Sequence, residues 1–143
     1  MRQRFFLLML LVFTSANIHS QSDTVTKYLS VGPEEFLTLM RFRENAVLID
    51  VRLPFEYRKE RIENSVNIPL GKKFIKKMSH FPGNSVILLY CTTDVRSRRA
   101  AERLYDAGYR NLYNLEGGLE AWKRKNLPVT GRKADKYIPD RMN

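Results

Sequence analysis

Residues 85–107 read SVILLYCTTDVRSRRAAERLYDA, and this stretch decides the fold. Val86 to Tyr90 is an apolar, β-rich run of a length that suits a buried strand. From Arg98 to Ala107 the period changes: Ala100, Ala101, Leu104 and Ala107 fall on one side of a helix, and Gly108 follows as its C-cap. Between strand and helix lies Cys91-Thr92-Thr93-Asp94-Val95-Arg96-Ser97, which opens on the only cysteine of the chain. Strand, tight turn and helix form the unit of a parallel α/β sheet, and ligand sites develop at the carboxyl ends of its strands. A turn at that point aims backbone N–H groups inward, and the helix N-terminus adds partial positive charge. A thiolate held there is stabilised and acts as a nucleophile. The alternative is a buried, inert thiol; the polar, hydroxyl-rich loop that Cys91 opens favours the reactive one.

Outward from this unit, strands and helices keep alternating. Tyr28-Leu29-Ser30 predicts a short first strand. A helix follows from Pro33, with Glu34 and Glu35 in its first turn and Phe36, Leu37, Leu39 and Met40 inward. Ala46 to Val51 predicts the second strand, and Asp50 and Arg52 flank its end. Asp50 reads as half of a structural ion pair; Arg52 reads equally as its partner or as a cation placed for an anionic donor. Pro54 to Glu60 predicts a short helix begun by proline, and Ser65 to Ile68 a third strand. Gly71 to Met78 is amphipathic, with Phe74, Ile75 and Met78 inward and Lys72, Lys73, Lys76 and Lys77 in solvent. Asn111 to Leu115 predicts a further strand and Leu119 to Asn126 the last helix, anchored in the core by Trp122. Gly117 and Gly118 read as a tight strand-to-helix turn or as a point of close backbone approach to the cysteine loop. These elements predict one α/β domain over residues 25–130, with a central, mainly parallel sheet covered by helices on both faces, followed by a polar basic tail at 131–143.

Four segments, taken together and in order, resemble the rhodanese (sulfurtransferase) family. They are Leu48-Ile49-Asp50-Val51-Arg52 with Glu56-Tyr57; Asn67-Ile68-Pro69; the Cys91 loop; and Leu115-Glu116-Gly117-Gly118 with Ala121-Trp122 and Leu127-Pro128-Val129. The resemblance implies a five-stranded sheet and a catalytic Cys91 that carries a persulfide. On this reading the backbone N–H groups of Thr92, Thr93, Asp94, Val95 and Arg96 hold the sulfur substrate, with Arg52 nearby. The implied partners are a small anionic sulfur donor such as thiosulfate and a thiol or cyanide acceptor, a protein thiol included; no cofactor is implied. Four residues separate Cys91 from Arg96, the loop length of the family's sulfur-transferring members. In its phosphatase relatives the arginine stands one place further on, where this chain has Ser97. Asp94 stands where the family often has glycine, so it either adopts a glycine-like backbone angle or sets negative charge at the rim. Arg61 stands where the family usually has the histidine of a Gly-His-Ile segment. Two other classes are a persulfide relay serving a protein partner and a non-catalytic interaction domain; retention of Cys91 speaks against the second.

Bulk properties bound these readings. A chain of 143 residues, 43% apolar, suits one globular domain with its own core. Residues 1–20 stand apart: Arg2 and Arg4, an apolar run of nine from Phe5 to Phe13, then a polar stretch with small residues. That is a signal-peptide pattern, with cleavage expected after Ser20 or after Ala16, and it predicts an exported, periplasmic or secreted protein with no membrane span after cleavage. Removing the two arginines of that segment takes the net charge from +10 to +8. Anionic small molecules or an acidic surface are the partners such charge favours in an exported chain, and nucleic acid is not expected. A single cysteine excludes an internal disulfide. His80 is the only histidine after residue 20 and sits beside a Phe81-Pro82-Gly83 turn, so no metal-binding set is expected.

Overall fold

The computed structural model describes residues 26–132. Residues 1–20, read above as a signal peptide, and the tail after Arg132 lie outside the described residues. Five strands and five helices alternate: β1 (Leu29–Val31), α1 (Pro33–Phe42), β2 (Ala46–Asp50), α2 (Pro54–Lys59), β3 (Val66–Asn67), α3 (Phe74–Met78), β4 (Val86–Tyr90), α4 (Val95–Asp106), β5 (Leu112–Leu115) and α5 (Gly118–Arg124). The strands form one sheet in the order β1-β5-β4-β2-β3, and every neighbouring pair is parallel. Outside the sheet, an antiparallel bridge joins Arg61 to Thr130. No helix among the described residues is long and apolar enough to cross a membrane.

The unbroken apolar run of β4 marks a strand buried on both sides, and its side chains alternate between two cores. Ile87, Leu89 and Cys91 pack with Phe74 and Met78 of α3 and with Ala100, Ala101 and Leu104 of α4. Leu88 and Tyr90 pack on the opposite face with Phe36 and Leu39 of α1 and with Leu119 and Trp122 of α5. Trp122 meets Phe36 edge-on, with ring centroids 6.4 Å apart, and its indole N–H donates to the Pro128 carbonyl at 2.9 Å. Helix α2 buries no side chain fully; Glu56 ties it to Arg96 of α4, and the Tyr57 hydroxyl donates to the Ser65 carbonyl.

One boundary moves in a way that matters for the site. The apolar period predicts α4 from Arg98, and the helix instead starts at Val95. Ser97, fully buried, takes the inward position one turn before Ala100 and Ala101, and a serine gives no apolar signal. Arg96 and Ser97 therefore belong to the helix's first turn, close against the cysteine.

Candidate active site

The cradle is built by the chain reversing at Asp94. Its backbone is left-handed, with φ 93° and ψ −17°, a conformation that Asp tolerates better than most side chains. The reversal turns the Asp94 N–H back onto Cys91 Sγ at 3.2 Å. Ser97 Oγ stands 3.6 Å from the same sulfur and 3.0 Å from the Asp94 carbonyl, and its single proton serves one or the other. Cys91 itself is 1% exposed, at the C-terminal end of β4. Of the two readings of Asp94, the backbone adopts the glycine-like angle, and the carboxylate turns out of the cradle. Oδ2 accepts from the Gly117 N–H at 3.0 Å, and Oδ1 pairs with Arg98 Nε at 3.2 Å.

The carbonyls of the loop are taken up by α5. The Leu119 N–H donates to the Cys91 carbonyl at 2.8 Å and the Glu120 N–H to the Thr92 carbonyl at 3.1 Å. That contact requires Gly118. A Cβ there would lie 2.6 Å from the Cys91 oxygen and from the Thr92 carbonyl carbon and oxygen, and the residue has φ +59°. The glycine is thus both a turn residue and the point of close approach.

A third element closes the bracket. Glu56 of α2 takes both ends of the Arg96 fork, at 2.7 and 2.8 Å. Arg96 also donates to Thr92 Oγ1 at 3.0 Å, and the Thr92 hydroxyl donates to Glu56 at 3.2 Å. The Leu53 N–H donates to the same carboxylate at 3.0 Å. Arg96, then burial in opposition, sets the Glu56 carboxyl, which is held down at about 2; Glu56 in turn raises the Arg96 pKa. Arg52 is similarly engaged. Its Nε and one terminal nitrogen bind Asp50 bidentately at 2.6–3.1 Å, and it donates to the Glu60 carbonyl at 2.7 Å. Burial works against the Arg52 charge, and the hydrogen bonds to Asp50 outweigh it. Arg52 therefore stands beside the loop with its charge already met. Thr93 and Val95 are exposed on the rim.

Beside the loop opens a cleft of about 300 Å³, shared by α2, α5 and Thr92. Its wall includes Arg52, Phe55, Glu56, Lys59, Leu119 and Glu120, together with the Lys123–Glu60 ion pair at 2.8 Å.

This geometry agrees with the comparisons to known proteins. The model of the Rhodanese-like domain family matches residues 32–125. The chain belongs to the rhodanese-like domain family. A sulfurtransferase of Allochromatium vinosum is 34% identical over 60% of this chain and 79% of its own length. The thiosulfate sulfurtransferase GlpE of Vibrio cholerae is 28% identical over 63% of this chain and 84% of its own. An uncharacterized Synechocystis protein is 34% identical over 78% of this chain, which spans 61% of that relative's length. The crystal structure of a rhodanese-related protein from Thermoplasma volcanium superposes with a TM-score of 0.64 and 28% identity, covering 72% of this chain and 98% of that one.

Within this rhodanese-like domain the sequence motifs locate Cys91 and its loop, and the structure brings Thr92, Asp94 and Arg96 together around it. Glu56 and Ser97 were not among the predicted site residues. The signal for Glu56 was its place in the first turn of a helix opened by Pro54, where a carboxylate turns back to a free N–H. Ser97 carried no signal beyond its distance from Cys91. Arg61, in the place of the family's histidine, pairs its backbone with Thr130 and stacks its guanidinium 4.8 Å from the Tyr57 ring centre.

Proposed function

We propose that this rhodanese-like domain is an active sulfurtransferase that carries sulfane sulfur on Cys91 from a donor such as thiosulfate to a thiophilic acceptor. The observation that carries the reading is the 3.2 Å hydrogen bond from the Asp94 N–H to Cys91 Sγ inside a loop that closes on Arg96. In the first step the Cys91 thiolate bonds to the outer sulfur of thiosulfate. The donor's S–S bond breaks and sulfite leaves with the bonding pair, so the enzyme keeps a persulfide. In the second step cyanide or a thiolate attacks the outer persulfide sulfur, and the Cys91 thiolate is restored. Donors fixed by the loop stabilise the charged sulfur with no reorganisation at the moment of transfer. The helix N-terminus of α4 adds to the same potential.

The test is intact mass after incubation with thiosulfate, alongside Cys91→Ser. A gain of one sulfur on the native chain, removed by cyanide and missing in the variant, is the expected result. A native chain that takes no sulfur from any donor would overturn the reading. We further propose that residues 1–20 direct export; N-terminal sequencing of the protein recovered outside the cytoplasm should then begin after Ser20 or Ala16.

A further inference from the structure

Two donors stand within reach of Cys91 Sγ among the described residues: the Asp94 N–H at 3.2 Å and the Ser97 hydroxyl at 3.6 Å. They differ in freedom. The Asp94 N–H is fixed by its backbone, whereas a hydroxyl proton turns about its C–O bond toward the stronger acceptor. Ser97 Oγ has a second acceptor, the Asp94 carbonyl at 3.0 Å. That carbonyl already accepts from the Arg98 N–H at 2.9 Å. It therefore does not depend on the Ser97 proton, which is free to turn to the sulfur.

The packing does not require a hydroxyl here. Ser97 is fully buried on the inner face of α4, with Ala100, Ala101 and Leu104. Alanine would fill this position, favour the helix and avoid desolvating a polar group. The other hydroxyls of the loop are engaged or distant: Thr92 lies between Glu56 and Arg96, and Thr93 is exposed on the rim. The cations around the loop are held by acids, Arg96 by Glu56, Arg98 by Asp94 and Arg52 by Asp50. Cys91 is 1% exposed, so water does little for a charge on its sulfur, and a neutral donor that can turn to it counts for more.

We infer that Ser97 is a catalytic residue of the unloading step: its hydroxyl faces the Asp94 carbonyl while Sγ is bonded to the carried sulfur, and donates to Sγ as the thiolate leaves. The inference rests on Cys91 being the sulfur carrier. With cyanide as acceptor, its carbon bonds to the outer sulfur of Cys91–S–SH and the S–S bond breaks. Sγ leaves with the bonding pair, thiocyanate forms, and the proton of the outer sulfur passes to solvent. The same hydrogen bond acts in opposite directions on the two steps. A stabilised thiolate leaves faster and attacks more slowly. Ser97 thus favours unloading at some cost to loading.

The experiment follows both steps on the full chain by quenched intact mass, at a pH where the rates have levelled off. Thiosulfate is the donor, cyanide the acceptor, and alkylation by iodoacetamide an independent measure of attack by Sγ. A hydrogen bond to a charged atom changes the stability of that ion by about tenfold, and thiolate rates follow roughly the 0.4–0.5 power of that factor. Ser97→Ala should therefore slow unloading about threefold and speed loading about threefold, with alkylation rising alongside loading. Ser97→Thr keeps the hydroxyl and should return each rate to within about twofold of native. A loop merely loosened by the substitution would slow both steps together. If unloading is not slowed by Ser97→Ala, or if loading and alkylation fail to rise, the inference is overturned and the persulfide mechanism stands. A native chain that is alkylated but takes no sulfur would instead remove the mechanism on which the inference rests.

Discussion

Two basic stretches that look alike in the sequence end in opposite electrostatic conditions. Arg96-Ser97-Arg98-Arg99 lies in the first turns of α4 at the cysteine, and Lys72-Lys73-Phe74-Ile75-Lys76-Lys77 leads from the preceding turn into α3. At the first, Arg96 and Arg98 are each bound to a carboxylate, and the Glu56 acid comes from 40 residues earlier in the chain. At the second, the four lysines are exposed and none forms an ion pair with another described residue. The reason lies in the medium. Cations in the first turn of a helix oppose its dipole, and partly buried ones lose hydration, so pairing offsets both costs. Lysines exposed on a short helix and in the turn before it keep their water and lose nothing by standing alone. A charge count therefore describes the surface and says little about the field at the cysteine.

The strongest way to break this contrast is at the most buried pair. Asp50→Ala leaves the Arg52 guanidinium, 4% exposed, without its carboxylate, and should cost about 3–5 kcal/mol in denaturant unfolding. If the loss is below about 1 kcal/mol, the pair is no more than a surface contact. Gly118→Ala tests the backbone side of the bracket. The added Cβ, 2.6 Å from the Cys91 and Thr92 carbonyls, in a left-handed residue, should cost about 3 kcal/mol and slow sulfur loading as the loop shifts.

Glu56 sharpens the comparison through pH. Its carboxyl sits at about 2 against an ordinary 4.5, so its contribution is complete above about pH 4.5 and is lost as the pH falls toward 2. The expected loss over that window is about 1 kcal/mol, allowing for solvent at this partly exposed pair. Glu56→Gln should remove that part of the stability–pH curve, and an unaltered curve would show that Arg96 does not stabilise the ionised form. At the other end of the scale, Lys76→Glu with Lys77→Glu on α3 should change unfolding free energy by less than about 0.5 kcal/mol, because no described residue depends on either charge. A larger change would mean that α3 takes part in an interaction that the four free lysines do not suggest.

Most of the fold was legible for a simple reason. β4 is buried on both sides, so Val86 to Tyr90 could be apolar without interruption, and Ala100, Ala101 and Leu104 keep a helical period beneath it. Proline at Pro33 and Pro54 and glycine at Gly108 marked helix ends by backbone restriction alone. The start of α4 was not legible, because a buried serine, Ser97, occupies the position where an apolar residue would have extended the period. The role of Asp94 was legible only as two alternatives; which atoms its carboxylate meets depends on Gly117 arriving from β5.

The sequence by itself determined the order of strands and helices, the burial of β4, the position of Cys91 at a strand's carboxyl end and the length of the loop to Arg96. These are local properties, written in period, composition and spacing along a few residues. Only the tertiary structure decided which charges remain uncovered at the cysteine. Glu56 reaches Arg96 because α2 is brought beside α4, and Gly118 admits the first turn of α5 onto the loop carbonyls because β5 lies next to β4. Such contacts join residues far apart in the chain, and the energy of a charge depends on the neighbours and the solvent around it, which no single segment specifies.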